Sequence, residues 1–191
     1  MREMLNYINA GESVVFDISG YVNNCSPPQY ADLMGKIVTV ESAGNPFSIG
    51  VVNARLARQP VNLSEAIATI TSLNTSKYNY SIGLAQVNQI HFPRLGWKNN
   101  PTEGFNACKN ISAGAEILDS CFIKANQYDS QKYKRAGNLS VQEMALSCYY
   151  SGDLFLGERL GYVTKVLGHT PINKISPSPK TNTMDYSYEN K

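Results

Sequence analysis

Glu41 is the residue of this chain whose type and spacing point most directly to chemistry. It follows Ile37 by four positions and Met34 by seven, so on a helix it shares their apolar face. A charged carboxylate on such a face is costly unless it is paired or used. Glu41 also falls in the last turn of the predicted helix, where the macrodipole opposes negative charge. Both influences favour the protonated form, and a Glu that keeps its proton near neutral pH can serve as a general acid. The alternative is that the apolar stripe has simply ended and Glu41 is solvated. Metal chemistry has less support, since the chain has two histidines, His91 and His169, and no Cys-x-x-Cys pair. No metal site is expected. The four cysteines, Cys25, Cys108, Cys121 and Cys148, are even in number and scattered, which suits two disulfides and an oxidising compartment. Four buried free thiols are the alternative.

The elements that must position Glu41 are mostly helical. Pro27-Pro28 predicts a helix start, and Tyr30, Leu33, Met34, Ile37 and Val38 carry the apolar rhythm. The helix should end near Ala43, with Gly44 just past the end and Pro46 preventing continuation. Asn62 with Glu65 predicts the cap of a second helix through Leu63, Ala66, Ile67 and Ile70. Tyr78 to Gly83 reads as a short strand or extended turn. A third helix over about 107–125 places Ile111, Ala115, Leu118 and Phe122 on one side, and Ser140 with Glu143 forms a capping box for a fourth. A fifth should cover 156–167. Residues 1–24 show no sustained periodicity and read as a lead-in, and 171–191, rich in Pro, Ser, Asn and Lys, read as a flexible tail. The expected class is mainly α (α+β), with one domain of about five helices over 25–170.

Composition narrows the function classes. With 17 basic and 15 acidic residues the net charge is +2, and charged residues make up only 17%. A protein built to coat nucleic acid needs a dense basic face, so no nucleic-acid partner is expected. No apolar run approaches a membrane span, so no integral membrane segment is expected either. The N-terminus lacks the pattern of a signal peptide, an expectation of cytosolic residence or of a leader that is missing.

Four segments taken in order add a resemblance. They are Glu41-Ser42-Ala43-Gly44-Asn45-Pro46, Gly83-Leu84-Ala85-Gln86-Val87-Asn88, Asn110-Ile111-Ser112-Ala113-Gly114 and Ala145-Leu146-Ser147-Cys148-Tyr149-Tyr150-Ser151-Gly152. Each is weak alone, but together they resemble the motifs of the soluble lytic transglycosylases with a goose-type lysozyme-like fold. The closest resemblance is to the branch that accompanies type IV secretion and conjugation systems, with its longer insertion between the first two motifs, here about 47–80. Ala85 departs from the usual Met and Tyr150 from the usual Asn.

That resemblance implies roles. Glu41 takes the place of the catalytic acid/base, and Tyr149 that of the tyrosine that helps hold and polarise the site. Gln86 and Asn88 correspond to groups that orient the glycan, with Ser48 and Tyr150 as further substrate-binding residues. For Gln86 and Asn88 turn chemistry is the alternative, and for Tyr149 core packing. Ser42 and Gly83 read as structural. No second carboxylate has a position like that of Glu41; Glu65, Glu103, Glu116 and Asp119 look like helix-face or capping residues. A single-carboxylate site works if the substrate supplies the nucleophile. The implied reaction therefore cleaves the bond between N-acetylmuramic acid and N-acetylglucosamine and closes a 1,6-anhydro ring, without a cofactor. Peptidoglycan glycan strands and type IV secretion components are the implied partners, the periplasm or cell envelope the implied location, and a monomer the implied state. The competing readings are a water-using goose-type muramidase, an inactive peptidoglycan-binding assembly factor, and a non-catalytic helical interaction domain.

A periplasmic enzyme favours disulfides over free thiols. Cys108 and Cys121 on one helix lie about 20 Å apart, too far for a bridge, which also removes Cys25–Cys148. Antiparallel packing of the helices at 107–125 and 140–151 is expected to bring Cys108 to Cys148 and leave Cys25 for Cys121.

Overall fold

The computed structural model describes residues 16–128 and 139–175. Among them lie seven helices: α1 (Ile18–Cys25), α2 (Ala31–Ser42), α3 (Leu63–Thr75), α4 (Ala107–Asn126), α5 (Val141–Ser151), α6 (Leu156–Arg159) and α7 (Tyr162–Leu167). Three strands, β2 (Ile49–Val51), β3 (Tyr80–Ile82) and β4 (Val87–Asn88), form an antiparallel sheet in that order. A second small pair joins β1 (Phe16–Asp17) to β5 (Lys174–Ile175). The mainly helical expectation, with an extended segment near 78–83, describes this molecule.

Helix α2 lies against α1, α4 and α7 and buries Leu33, Met34, Ile37, Val38 and Val40. Its entry is a 3-10 turn over Pro28–Tyr30, where proline needs no amide hydrogen. It ends one residue earlier than expected, with Ala43 already left-handed at φ 46° and Gly44 following at φ 75°. The buried Ser42 stabilises that exit: its Oγ accepts from Gly44 N at 3.1 Å and donates to the Val38 carbonyl at 3.0 Å. The other predicted caps form as the residue types require. Asn62 Oδ1 accepts from Glu65 N at 2.9 Å, and Ser140 and Glu143 exchange both bonds of a capping box.

Three local expectations need correction. The predicted helix over 156–167 is two helices, because Gly161, at φ 76°, breaks the ladder between α6 and α7. Within the supposed lead-in, 18–25 is helical. Asp17 caps it by accepting from Gly20 N at 3.0 Å, and Ile18 and Val22 are buried. The helix is short, and two apolar anchors in eight residues give little periodicity to read. Nor does the tail begin at 171. Pro171 packs on Gly35, Ile172 N donates to Thr39 Oγ1 at 2.9 Å, and the Asn173 carbonyl accepts from Ser19 N at 3.2 Å. Residues 1–15 and 176–191, the remainder of those two segments, lie outside the described residues.

The disulfide pairing is also corrected. The bonds are Cys25–Cys108 and Cys121–Cys148, with Cα–Cα separations of 5.1 and 5.6 Å. Counted from the connection between α4 and α5, Cys121 lies roughly 8 Å before the end of α4 and Cys148 roughly 10 Å into α5. The two helices pack together, and these two cysteines meet across that contact. Cys108 sits at the opposite end of α4, where the end of α1 meets it, and Ser112 Oγ donates to the Cys25 carbonyl there at 2.7 Å.

Candidate active site

Glu41 sits half-buried in the last turn of α2. Tyr162, the first residue of α7, donates its hydroxyl hydrogen to Glu41 Oε1 at 2.6 Å. Burial pushes the Glu41 carboxyl up to about 7, and the Tyr162 hydrogen bond and the Lys165 ammonium pull against that rise. Desolvation wins, since removing water penalises the charged form more than one donor and one screened cation repay. The group is therefore poised between acid and base near neutral pH, as proton transfer in both directions requires.

The facing wall is the turn between β3 and β4. Gly83 is left-handed at φ 78°, and a side chain there would collide with Asn110 Nδ2 at 2.3 Å. Asn110 is fully buried on α4. It accepts from Ala85 N at 2.7 Å and donates to the carbonyls of Ile82 and Gly104 at 2.9 and 2.8 Å. The third motif thus supplies a clamp for the second. Tyr149, from α5, donates to the Ala85 carbonyl at 2.7 Å. Burial, and then the nearby charge of Glu41, raise its phenol well above the usual range, so it remains a donor. Gly114 allows this approach, because a Cβ there would stand 2.6 Å from Ala85 Cβ and 3.0 Å from both Met34 Cε and Tyr149 Oη. Ala85 is fully buried, and the flexible end of Met34 reaches the same space.

The remaining expected residues are placed around this wall. Gln86 is left-handed at φ 47°, and its Nε2 donates to the carbonyls of Ser48 and Gly83 at 3.1 and 2.9 Å. It ties the turn to β2, with Oε1 lying over Gly50. Asn88 Oδ1 accepts from Ile90 N at 3.0 Å and its Nδ2 donates to Ser81 Oγ at 3.2 Å. Turn chemistry is thus what both side chains carry out in this structure. Ser48 is buried, and its carbonyl accepts from Gly83 N at 2.9 Å as well as from Gln86. Tyr150 stacks on Tyr162, with ring centroids 4.7 Å apart and planes inclined by 23°.

Tyr162 is the residue sequence reasoning missed. Only its place beside the apolar Val163 and Val166 in a short helix marked it, and that pattern signals packing. The other carboxylates among the described residues have separate work. Glu65, Glu103 and Glu116 pair with Arg58, Lys109 and Arg94, Asp32 with Lys36, and Asp119 accepts from Tyr30 at 2.6 Å. Asp17, Glu143 and Asp153 cap helices. Glu158, on α6, has a buried Oε2 without a hydrogen-bond partner. No cluster of His, Cys, Asp and Glu suited to a metal ion occurs among the described residues.

The Glu41 carboxyl, its pKa raised to about 7, thus lies near Tyr149, which with Asn110 clamps the 83–86 turn. The family model described as "Transglycosylase SLT domain" matches residues 26–168. The chain belongs to the SLT transglycosylase family. This SLT domain is 38% identical over 159 residues to the type IV secretion system protein virB1 of Brucella abortus, Brucella melitensis and Brucella suis. The alignment covers 83% of the chain and 62% of each relative, so the chain spans less than two thirds of the length of those proteins. No solved structure matches it. No helix of the described SLT domain is long and apolar enough to cross a membrane.

Proposed function

We propose that this SLT domain is a peptidoglycan lytic transglycosylase in which Glu41 is the single acid and base. The observation that carries the reading is the Glu41 carboxyl, buried beside the Tyr162 hydroxyl with its pKa raised to about 7. The protonated Glu41 gives its hydrogen to the oxygen linking N-acetylmuramic acid to N-acetylglucosamine, and that bond breaks as the muramoyl acetamido oxygen closes on the anomeric carbon. The Glu41 carboxylate then takes the proton of the muramoyl 6-hydroxyl, whose oxygen attacks the same carbon and displaces the acetamido group. The product is a 1,6-anhydro sugar, no water is consumed, and the carboxyl ends protonated as it began. Tyr162 stabilises the carboxylate between the two steps, and Tyr149 holds the facing wall.

In this reading the glycan lies against the wall built by 83–88, where Gln86 and Asn88, with Ser48 behind them, keep the backbone in shape for it. Residues 18–175, which include α1 and the segment after Thr170 that packs on α2, form the catalytic unit and act as a monomer in the periplasm. The similarity to virB1 proteins supports a role in opening the cell wall locally for a type IV secretion or conjugation apparatus, whose components would then be partners.

The test is digestion of purified peptidoglycan with mass spectrometry of the products. Muropeptides ending in anhydro-muramic acid, lighter by one water than reducing-end products, support the reading, and their loss in Glu41→Gln supports the assignment of the acid. Exclusively reducing-end products would establish instead the competing water-using muramidase.

A further inference from the structure

Tyr149 and Tyr150 are consecutive on α5 and so diverge by about 100° around its axis. Tyr149 turns to the 83–86 wall, whereas Tyr150 lays its ring on Tyr162. Tyr162 in turn reaches Glu41 through its hydroxyl. A line of contact therefore runs from α5 through the start of α7 to the end of α2. Tyr162 follows the left-handed Gly161 and opens a helix of six residues. Its ring is buried in the core, and Tyr150 covers one of its faces.

We propose that Tyr150 is a positioning residue for the acid: by stacking on Tyr162 it fixes the direction from which the Tyr162 hydroxyl approaches Glu41. The inference rests on Glu41 being the acid, and it gives Tyr150 a role through Tyr162 in place of direct contact with the glycan.

The test is steady-state kinetics on peptidoglycan with Tyr150→Asn, Tyr150→Phe, Tyr162→Phe and the double variant Tyr150→Asn/Tyr162→Phe. Tyr150→Asn should lower kcat about tenfold with KM within about twofold, the signature of an effect on the reacting step. Tyr150→Phe, which keeps the ring, should rescue most of that loss. In the Tyr162→Phe background Tyr150→Asn should add less than about twofold, since coupled residues are not additive. A raised KM at unchanged kcat would make Tyr150 a glycan contact, and independent losses would also overturn the inference. Should Tyr150→Asn fail to fold, Tyr150→Leu, which lacks the flat face, takes its place with the same expectations.

A second readout separates this inference from the reaction assigned above. If the wild type yields no anhydro product, that assignment fails by itself, and the Glu41 carboxyl can still be titrated by carbon-13 NMR. Tyr162→Phe should raise the Glu41 midpoint by removing a donor to the carboxylate. Tyr150→Asn must raise it too; an unmoved midpoint overturns the inference whatever the enzyme catalyses.

Discussion

The Tyr162 hydroxyl stands 2.6 Å from Glu41 Oε1, although 121 residues separate the two in the chain. This bond joins the end of α2 to the start of α7 and lies against the pull of burial on the same carboxyl. Desolvation raises the Glu41 pKa and the phenol lowers it, and the balance at about 7 leaves an acid that can still become a base. A fully desolvated carboxyl would hold its proton too tightly for the second step, and a solvated one would lose it before the first.

The rate should fall on the alkaline side through Glu41. The first step needs the protonated carboxyl, so kcat should be level below about 7 and decline tenfold per pH unit above it. A pH profile of turnover on purified glycan strands measures this, with an alkaline limb near 4.5 counting against Glu41 as the acid.

Glu41→Gln should abolish activity and yet stabilise the fold at alkaline pH. The carboxyl is raised in the folded state above its ordinary 4.5, so the native protein holds the proton more tightly than the unfolded chain. Stability is accordingly lost as pH rises from about 4.5 to about 7 and is level beyond. The neutral amide escapes that loss. Urea unfolding at pH 8 should find Glu41→Gln more stable by on the order of 3 kcal/mol, with the gap closing toward pH 4, while turnover drops about a thousandfold.

Asn110→Ala should open the clamp of the wall. It removes three hydrogen bonds at a fully buried site and leaves Ala85 N and the carbonyls of Ile82 and Gly104 without that partner. A loss of about 3 kcal/mol is expected, together with reduced activity, because the Tyr149 hydroxyl is anchored on the same turn. Denaturant melts and turnover measured on one preparation would show whether the two losses travel together.

Gly114→Ala should damage the site more than the fold. The added methyl would meet Ala85 Cβ at 2.6 Å and Tyr149 Oη at 3.0 Å, so the turn and the phenol must separate. Overpacking of this kind costs about 1–3 kcal/mol. A clear drop in kcat is expected in a protein that still unfolds cooperatively, and full activity would show that the wall yields without consequence.

The two disulfides should differ in weight. Cys25–Cys108 closes a loop with a separation of 83 residues and Cys121–Cys148 one of 27. Loop entropy gives about 4.5 and about 3.5 kcal/mol respectively. Paired Cys→Ala variants, compared by urea midpoint, should rank in that order. The Cys121–Cys148 pair should carry the larger loss of turnover per kcal/mol, since Cys148 adjoins Tyr149 on α5.

What the sequence by itself determined were interactions within a few residues. Asn62 capping Glu65, Ser140 boxing with Glu143, and Glu41 at the end of an apolar stripe all depend on spacings of three, four and seven. The four motifs also carried the family, because their order along the chain needs no coordinates. Tertiary structure alone decided the pairing of the cysteines, which follows from the register of α4 against α5 and of α1 against the start of α4. It likewise decided that Gln86 donates to the Ser48 and Gly83 carbonyls and that Asn88 pairs with Ser81 Oγ and Ile90 N, since a side chain's partner depends on which strand or turn folds beside it. Most of all, it decided what holds Glu41. Periodicity shows that a carboxylate faces a core, but the donor that reaches it comes from a helix far along the chain, and only packing of α7 against α2 brings Tyr162 there.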